Sequence, residues 1–358
     1  MSEAQNYTVV RFSNASRIAA VLAVILLIFL AMAPFWAGRA DMRLLSELFL
    51  YMALASLWNL LAGYAGLVSV GQQAFVGFGG YCLFALTIFF GLSPLVAIPL
   101  AGVLGALVSI PVAVLIFRLR GAYFAIGTWV IAEVFRLVAA QVSALGGGSG
   151  TSLPVTVVRS IADSRAMREA TTYWMALGIV VVVLALVCIL LRSRRGVALT
   201  AIRDSELASQ SLGIDIWRAK FFVYVVTAAL TASVGALIFL QKLRISPDAA
   251  FSVNDWTAFV IFIVVIGGIG TIEGPIIGTI VFFLLRETLA DLGALYLMIL
   301  GLVAIVIMLR APTGIWGFVR ERTGLDLFAL SRRVVVDGKT GKSADPSTKE
   351  RAGDTQAT

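Results

Sequence analysis

Between Glu47 and Arg118 the chain runs for 70 residues, Leu48–Phe117, without a charged side chain. As helix, at about 1.5 Å per residue, this is about 105 Å, or three crossings of a hydrocarbon core about 30 Å thick. Lipid admits only structures that satisfy every backbone polar group internally, so such a stretch must be helical. The apolar runs are also far too long for the strands of a membrane barrel. The fold expected is therefore all-α and polytopic. Cuts within the stretch are expected at Gly63–Gly71 and at Gly91–Pro94, where glycine and proline interrupt the helix.

The rest of the sequence agrees. Only 13% of the 358 residues are charged, against about 25% in soluble proteins, so a wet surface could not be maintained. Further charge-free runs are Ile18–Gly38, Leu137–Val158, Ala170–Leu191, Phe221–Gln241, Trp256–Ile272, Gly274–Leu285 and Leu292–Leu309; Gly121–Gln141 is interrupted only by Glu133 and Arg136. These give eight to ten membrane segments. The first is read as an uncleaved span, because its apolar stretch is too long for a signal peptide and Pro34-Phe35-Trp36 replaces a small-residue cleavage site.

Orientation follows from Lys and Arg near the span ends. With the N-terminus inside, thirteen such residues up to position 330 fall inside and eight outside, which favours both termini in the cytoplasm. The +8 charge is read as this bias and not as a nucleic-acid surface. The expected organisation is a cytoplasmic N-terminus at 1–17, a transmembrane domain at 18–330 with a long inside loop at 192–220, and a disordered cytoplasmic tail at 331–358, too polar to bury a core.

Enzyme chemistry is poorly provided for. Histidine is absent and the two cysteines, Cys82 and Cys188, lie far apart in apolar runs. A zinc centre, a disulfide framework and a CxxC redox pair are not expected. Gly146-Gly-Gly-Ser-Gly-Thr151 lacks the Gly-Lys-Ser/Thr ending of a phosphate loop. Gly268-x-Gly270-x-x-x-Gly274 has the wrong spacing for a dinucleotide fingerprint. No cofactor is expected in this chain.

Two glycine-rich interruptions, Asn59–Gly80 and Ile266–Gly278, occupy opposite halves of the chain. Broken helices in a membrane are tolerated where they are buried in protein or line a cavity, and paired breaks point to a transport pathway. Candidate pathway residues are Gly66, Ser69, Gly71, Gln72 and Gln73 in the first, and Gly267, Gly268, Gly270, Thr271 and Gly274 in the second. The competing reading is close helix packing through small residues. Elsewhere, Glu133 and Arg136 share a helix face at i,i+3 spacing, either as a mutually neutralising buried pair or as part of a proton relay.

The inside loop Arg192–Lys220 holds good helix formers over Val197–Leu212. Asp204 could cap a second short helix and Gly213 could end it in the left-handed conformation. Leu199, Ile202, Leu207 and Leu212 alternate with Arg203, Asp204 and Glu206, the pattern of an amphipathic helix that docks in a protein groove or lies on lipid.

Taken together, Asn59-Leu-Leu-x-Gly-Tyr-x-Gly-Leu-x-Ser-x-Gly-Gln72 with Ala74-Phe75 and Gly79-x-Tyr81, Glu133-Val-Phe-Arg136, Arg203-Asp-x-Glu-x-Ala208 with Leu212-Gly-Ile214, and Gly267-Gly-x-Gly-Thr271 with Gly274-Pro275 resemble the permease subunits of branched-chain amino acid ABC importers, the LivM-like family. The resemblance covers roughly residues 40–320; Gln73 and Ser209-Gln210-Ser211 depart from its usual residues. It implies pseudo-repeated halves and partnership with a second, LivH-like permease, two cytoplasmic ATP-binding cassette ATPases and a periplasmic substrate-binding protein, all at a bacterial inner membrane. It implies that Ala198–Gly213 docks on the ATPase through Arg203, Asp204, Glu206, Leu207, Ala208 and Gly213. The outer loop Val142–Tyr173 would face the binding protein. The function expected is import of branched-chain or related neutral amino acids. A urea or short-amide importer is the alternative within the class, and an ion-coupled secondary transporter the alternative outside it; the latter would have to rely on Glu133, Glu273 and Glu287.

Overall fold

A computed structural model describes residues 7–10, 14–162, 164–289, 295–311, 313–323 and 333–336. It is almost wholly helical. In chain order come β1 (Tyr7–Val10), α1 (Asn14–Ala31), α2 (Arg39–Asn59), α3 (Gln72–Phe89), α4 (Pro94–Ile116), α5 (Ala122–Gln141), β2 (Thr151–Ser152), α6 (Val155–Arg159), α7 (Arg165–Arg192), α8 (Arg194–Asp204), α9 (Glu206–Ser211), α10 (Ile216–Lys242), β3 (Arg244–Ile245), α11 (Pro247–Ala250), α12 (Phe259–Gly267), α13 (Glu273–Leu289), α14 (Leu295–Arg310), α15 (Gly314–Thr323) and β4 (Arg333–Val336). Among the described residues, eight helical stretches are long and apolar enough to cross a membrane.

Residues 25–324 form one compact unit. Its centre is α2, α3 and α10, whose apolar stretches are 72–78% buried, whereas α4 and α5 are 33% and 22% buried. An apolar helix with most of its surface open is a lipid-facing helix. The centre is tight because small residues meet there. A Cβ placed on Gly79 would lie 1.9 Å from the Ala232 carbonyl oxygen, and one on Gly235 would lie 2.2 Å from that of Val76. Here the glycines of α3 and α10 serve close backbone approach, as small-residue interfaces in membranes do.

Side-chain caps start the two longest helices, α7 and α10. Ser164 Oγ accepts from the Met167 N–H at 3.1 Å before α7, and Asp215 Oδ1 from the Arg218 N–H at 3.0 Å before α10. The cuts expected at Gly63–Gly71 and Gly91–Pro94 are where α2 gives way to α3 and α3 to α4. Leu137–Val158 is not a further span. Its first residues finish α5, and the remainder is a loop of short turns through Gly146, Gly147 and Gly150, all at positive φ. The loop before α7 is correspondingly shorter than the expected Val142–Tyr173, because α7 begins at Arg165. Within it, Thr151–Ser152 pairs antiparallel with Arg244–Ile245 just beyond α10.

The two ends of the chain form a second unit, residues 1–24 and 325–358. There Tyr7–Val10 pairs antiparallel with Arg333–Val336. Four residues of the tail expected to be disordered are thus a strand; 331–332 and 337–358 lie outside the described residues.

Candidate functional site

The two glycine-rich breaks, far apart in sequence, meet in space. Asn59 ends α2 inside the apolar core, 2% exposed, and a buried amide must find partners. It finds both in the second break: its Oδ1 accepts from the Gly270 N–H at 2.8 Å, and its Nδ2 donates to the Thr271 carbonyl at 2.7 Å. From here α2 continues as a π-helical turn, Leu60–Tyr64, the wider form often found at functional positions. Gly63 sits against Gly270: a Cβ on Gly63 would lie 2.6 Å from the Gly270 nitrogen. Gly270 itself is at φ +76°, open to glycine at no steric cost.

Beyond the turn, Gly66–Gly71 runs back along α2 without helix. Trp58 Nε1 donates to the Ser69 carbonyl at 2.8 Å, and the Val70 N–H donates to Thr128 Oγ1 of α5 at 3.0 Å. Helix α3 starts again at Gln72. Gln72 Nε2 donates to Thr231 Oγ1 of α10 at 3.1 Å, and Gln73 accepts from Thr257 Oγ1. A cavity of about 10 Å³ between Ser69, Gly71, Gln72, Thr227 and Thr231 has room for about one water. That cavity is too small for an amino acid. The second break restarts similarly: Thr271 Oγ1 donates to the Gly268 carbonyl at 2.8 Å and accepts from the Gly274 N–H at 3.0 Å, opening α13. Gly267 packs on Gly274 and Gly278 at backbone contact. Gly66 lies beside Arg203 of the long loop.

That loop folds as two short helices, α8 and α9, at the same end of the bundle as the Asn59 junction. Leu199 and Ile202 are buried under it. Arg203 turns inward, and its Nη1 donates to the Gly63 carbonyl at 2.8 Å. Arg203 therefore does not stand on the free face where the amphipathic pattern put it. Asp204 is not the cap of the second helix either: it closes α8 and pairs with Arg203 at 2.8 Å, while Ser205 Oγ accepts from the Ala208 N–H at 3.3 Å. Glu206 pairs with Lys220. Gly213 is at φ +78° just past α9, and the Ile214 N–H returns to the Ser209 carbonyl at 3.1 Å, a Schellman-type end. The outward surface is Leu207 and Leu212, 80% and 79% exposed, with Ala208 between them.

Glu133 and Arg136 do pair, with Nη2 to Oε1 at 2.6 Å, but they are not a buried pair. Their side chains are 46% and 31% exposed, and Arg136 Nη1 also reaches Asp248 Oδ1 of α11 at 2.8 Å. Their place is the opposite end of the bundle, near the strand pair that follows α10, and no relay of acids leads from them to the breaks among the described residues. Sequence reasoning missed Asn59 and Gly63 as site residues. An uncharged amide within a charge-free span was the available signal. Thr128, Thr231 and Thr257 carried none, since a hydroxyl in a helix is equally content with its own backbone.

Residues 42–309, which contain both breaks and the α8–α9 loop, match the model of a family described as branched-chain amino acid transport system / permease component. The chain is 28% identical to the high-affinity branched-chain amino acid transport system permease protein LivM of Escherichia coli, over 85% of this chain and 76% of that protein. It is 27% identical to the protein of the same name from Salmonella typhimurium, over 82% and 73%. A probable branched-chain amino acid transport permease protein LivM from Methanocaldococcus jannaschii is 27% identical over 54% and 56%. No solved structure matches.

Proposed function

We propose a function from the premise that this chain belongs to the family of permease components of branched-chain amino acid transport systems. It is a multi-pass membrane protein, and a transport component in place of an enzyme. The reading that fits best is the membrane subunit of an ATP-driven importer for branched-chain or related neutral amino acids, in a bacterial inner membrane. ATP hydrolysis resides in separate subunits. A second homologous permease completes the pathway, and an external binding protein delivers substrate. Both ends of the chain are cytoplasmic, a reading supported by the Lys/Arg bias and by the pairing of Tyr7–Val10 with Arg333–Val336.

The observation that carries the mechanism is the chain of contacts Arg203–Gly63–Gly270. The α8–α9 loop offers two exposed leucines to a partner, and its inward arginine holds the junction of both broken helices. Movement of the loop when the ATPases close is then a movement of that junction. The cavity at the break is too small for an amino acid, so passage there requires the junction to shift. This chain contributes no cofactor. The test is uptake of labelled leucine, isoleucine, valine, alanine and urea in cells deleted for the importer and supplied with all subunits. Leucine-type uptake that needs the ATPases is the expected result. Preference for urea selects the related importer class, and uphill uptake by the chain alone under an ion gradient overturns the reading.

A further inference from the structure

A groove between the loop-side ends of α7 and α10 has no part in the mechanism above. Its volume is about 430 Å³, and its walls are Leu186, Ile189, Leu190, Phe222 and Val226, with Ser193, Arg194 and Arg195 at the mouth. That is within the range of small-molecule sites, but its chemistry is divided by depth. From Ser193 back to Leu186 the wall runs about 10 Å along the helix at 1.5 Å per residue and is apolar throughout. All polar groups are at one end.

The charge there is unbalanced. Neither Arg194 nor Arg195 has a carboxylate within ion-pair distance among the described residues, whereas Arg203 has Asp204 and Arg218 has Asp215. Arg195 instead lies over the Phe222 ring, its Cζ 4.1 Å from the ring centroid. A guanidinium held against an aromatic ring keeps N–H donors for an oxyanion. Both arginines stand in the first turn of α8, an eleven-residue helix, whose N-terminal end carries the positive pole of the helix dipole and favours negative charge. On the neighbouring helix, Trp217 and Phe221 stack at 4.8 Å, with Trp217 half-exposed, as aromatic residues do at headgroup depth.

We infer that this groove is a binding site for one anionic phospholipid, its phosphodiester held by Arg194 and Arg195 and an acyl chain laid along Leu186, Ile189 and Val226. Two cations at the water boundary above an apolar trough fit a molecule with one anionic end and a long hydrocarbon end. A soluble anion has no use for the trough, and a soluble protein has no access to its depth. The lipid phosphate would rest against the first turn of the same helix whose last turn carries Arg203, so membrane composition would bear on how that helix is held. The inference depends only on the chain spanning a membrane and is indifferent to what it transports.

The test is retention of defined lipids by the full-length chain in non-ionic detergent, read by native mass spectrometry with phosphatidylglycerol and phosphatidylcholine added in equal amount. One phosphatidylglycerol per chain should be retained preferentially. Arg194→Gln with Arg195→Gln should weaken it about 25-fold, about fivefold for each charge near a headgroup. Arg194→Lys with Arg195→Lys should recover most of the preference. Arg218→Gln, an exposed arginine at the same end, should leave it unchanged. Ile189→Trp should fill the trough and displace the lipid with both arginines intact. Equal retention of the two lipids, undiminished retention in the Gln or Trp variants, or displacement of phosphatidylglycerol by inorganic phosphate at equal concentration would each overturn the assignment.

Discussion

Arg203 Nη1 donates to the carbonyl oxygen of Gly63 across 2.8 Å, joining the α8–α9 loop to the π-helical end of α2. Gly63 stands in the last turn of that helix, where carbonyls lack intrahelical partners, and a guanidinium is well suited to hold one. Arg203→Ala should leave insertion and abundance unchanged while ATP-coupled uptake falls about tenfold, corresponding to about 1.5 kcal/mol for a charge-assisted hydrogen bond at a half-exposed side chain. Arg203→Lys should fall between, because it keeps charge but loses the fork. Uptake and membrane abundance are measured on the same preparation; normal uptake by Arg203→Ala rules out the coupling role.

Asn59 closes the junction from the other side. Asn59→Leu should lower the unfolding temperature of the purified chain, since it strands the Gly270 N–H and Thr271 carbonyl at a cost of about 1–3 kcal/mol. Gly63→Ala should be similarly harmful, because its methyl would stand 2.6 Å from the Gly270 nitrogen. Gly178→Ala, in open space on α7, is the matched control and should have little effect. Thermal unfolding in detergent distinguishes them.

In the Glu133–Arg136–Asp248 triad the two carboxylates are 46% and 83% exposed, so its worth is that of a surface pair. Glu133→Gln should cost about 0.2–1 kcal/mol, not the 3–5 kcal/mol of a severed buried pair. Glu133→Gln alone and combined with Arg136→Gln should therefore both give chains of near-normal abundance with uptake retained. Complete loss of uptake in two well-expressed variants would restore the proton-relay alternative.

Gly213 has open space around it, so size is no obstacle there; the obstacle is φ +78°. Gly213→Val should cost about 1 kcal/mol or more through backbone strain alone, and Gly213→Asn less. Recovery of co-expressed ATPase subunits with tagged permease should follow the same order. Leu207→Asp, on the most exposed apolar side chain of the loop, should abolish recovery without changing helix content.

The helical architecture and the positions of its main cuts were legible because they depend on local chemistry: charge-free length, and glycine or proline at Gly63–Gly71 and Gly91–Pro94. Leu137–Val158 misled for a definable reason. Absence of charge does not separate a span from an uncharged loop, and Gly146–Gly150 outweighs the surrounding apolar residues. The cap at Ser205 in place of Asp204 is a choice between two adjacent good caps, decided by the Arg203–Asp204 pair. The direction of Arg203 was not legible. Its acceptor is a backbone carbonyl 140 positions away, a group that every residue has and no side chain advertises.

The clamp by Asn59 also sets a timetable for biogenesis. Its partner amide at Gly270 is 211 residues downstream, and at about 5–20 residues per second the ribosome takes roughly 10–40 s to deliver it. Throughout that interval the end of α2 is in the membrane with its amide unmet, and the π turn has nothing to rest against. The first half can therefore be inserted early but cannot be finished early. A chain released before Gly270 would leave a polar, unclosed helix end in the bilayer, a ready mark for membrane quality-control proteases.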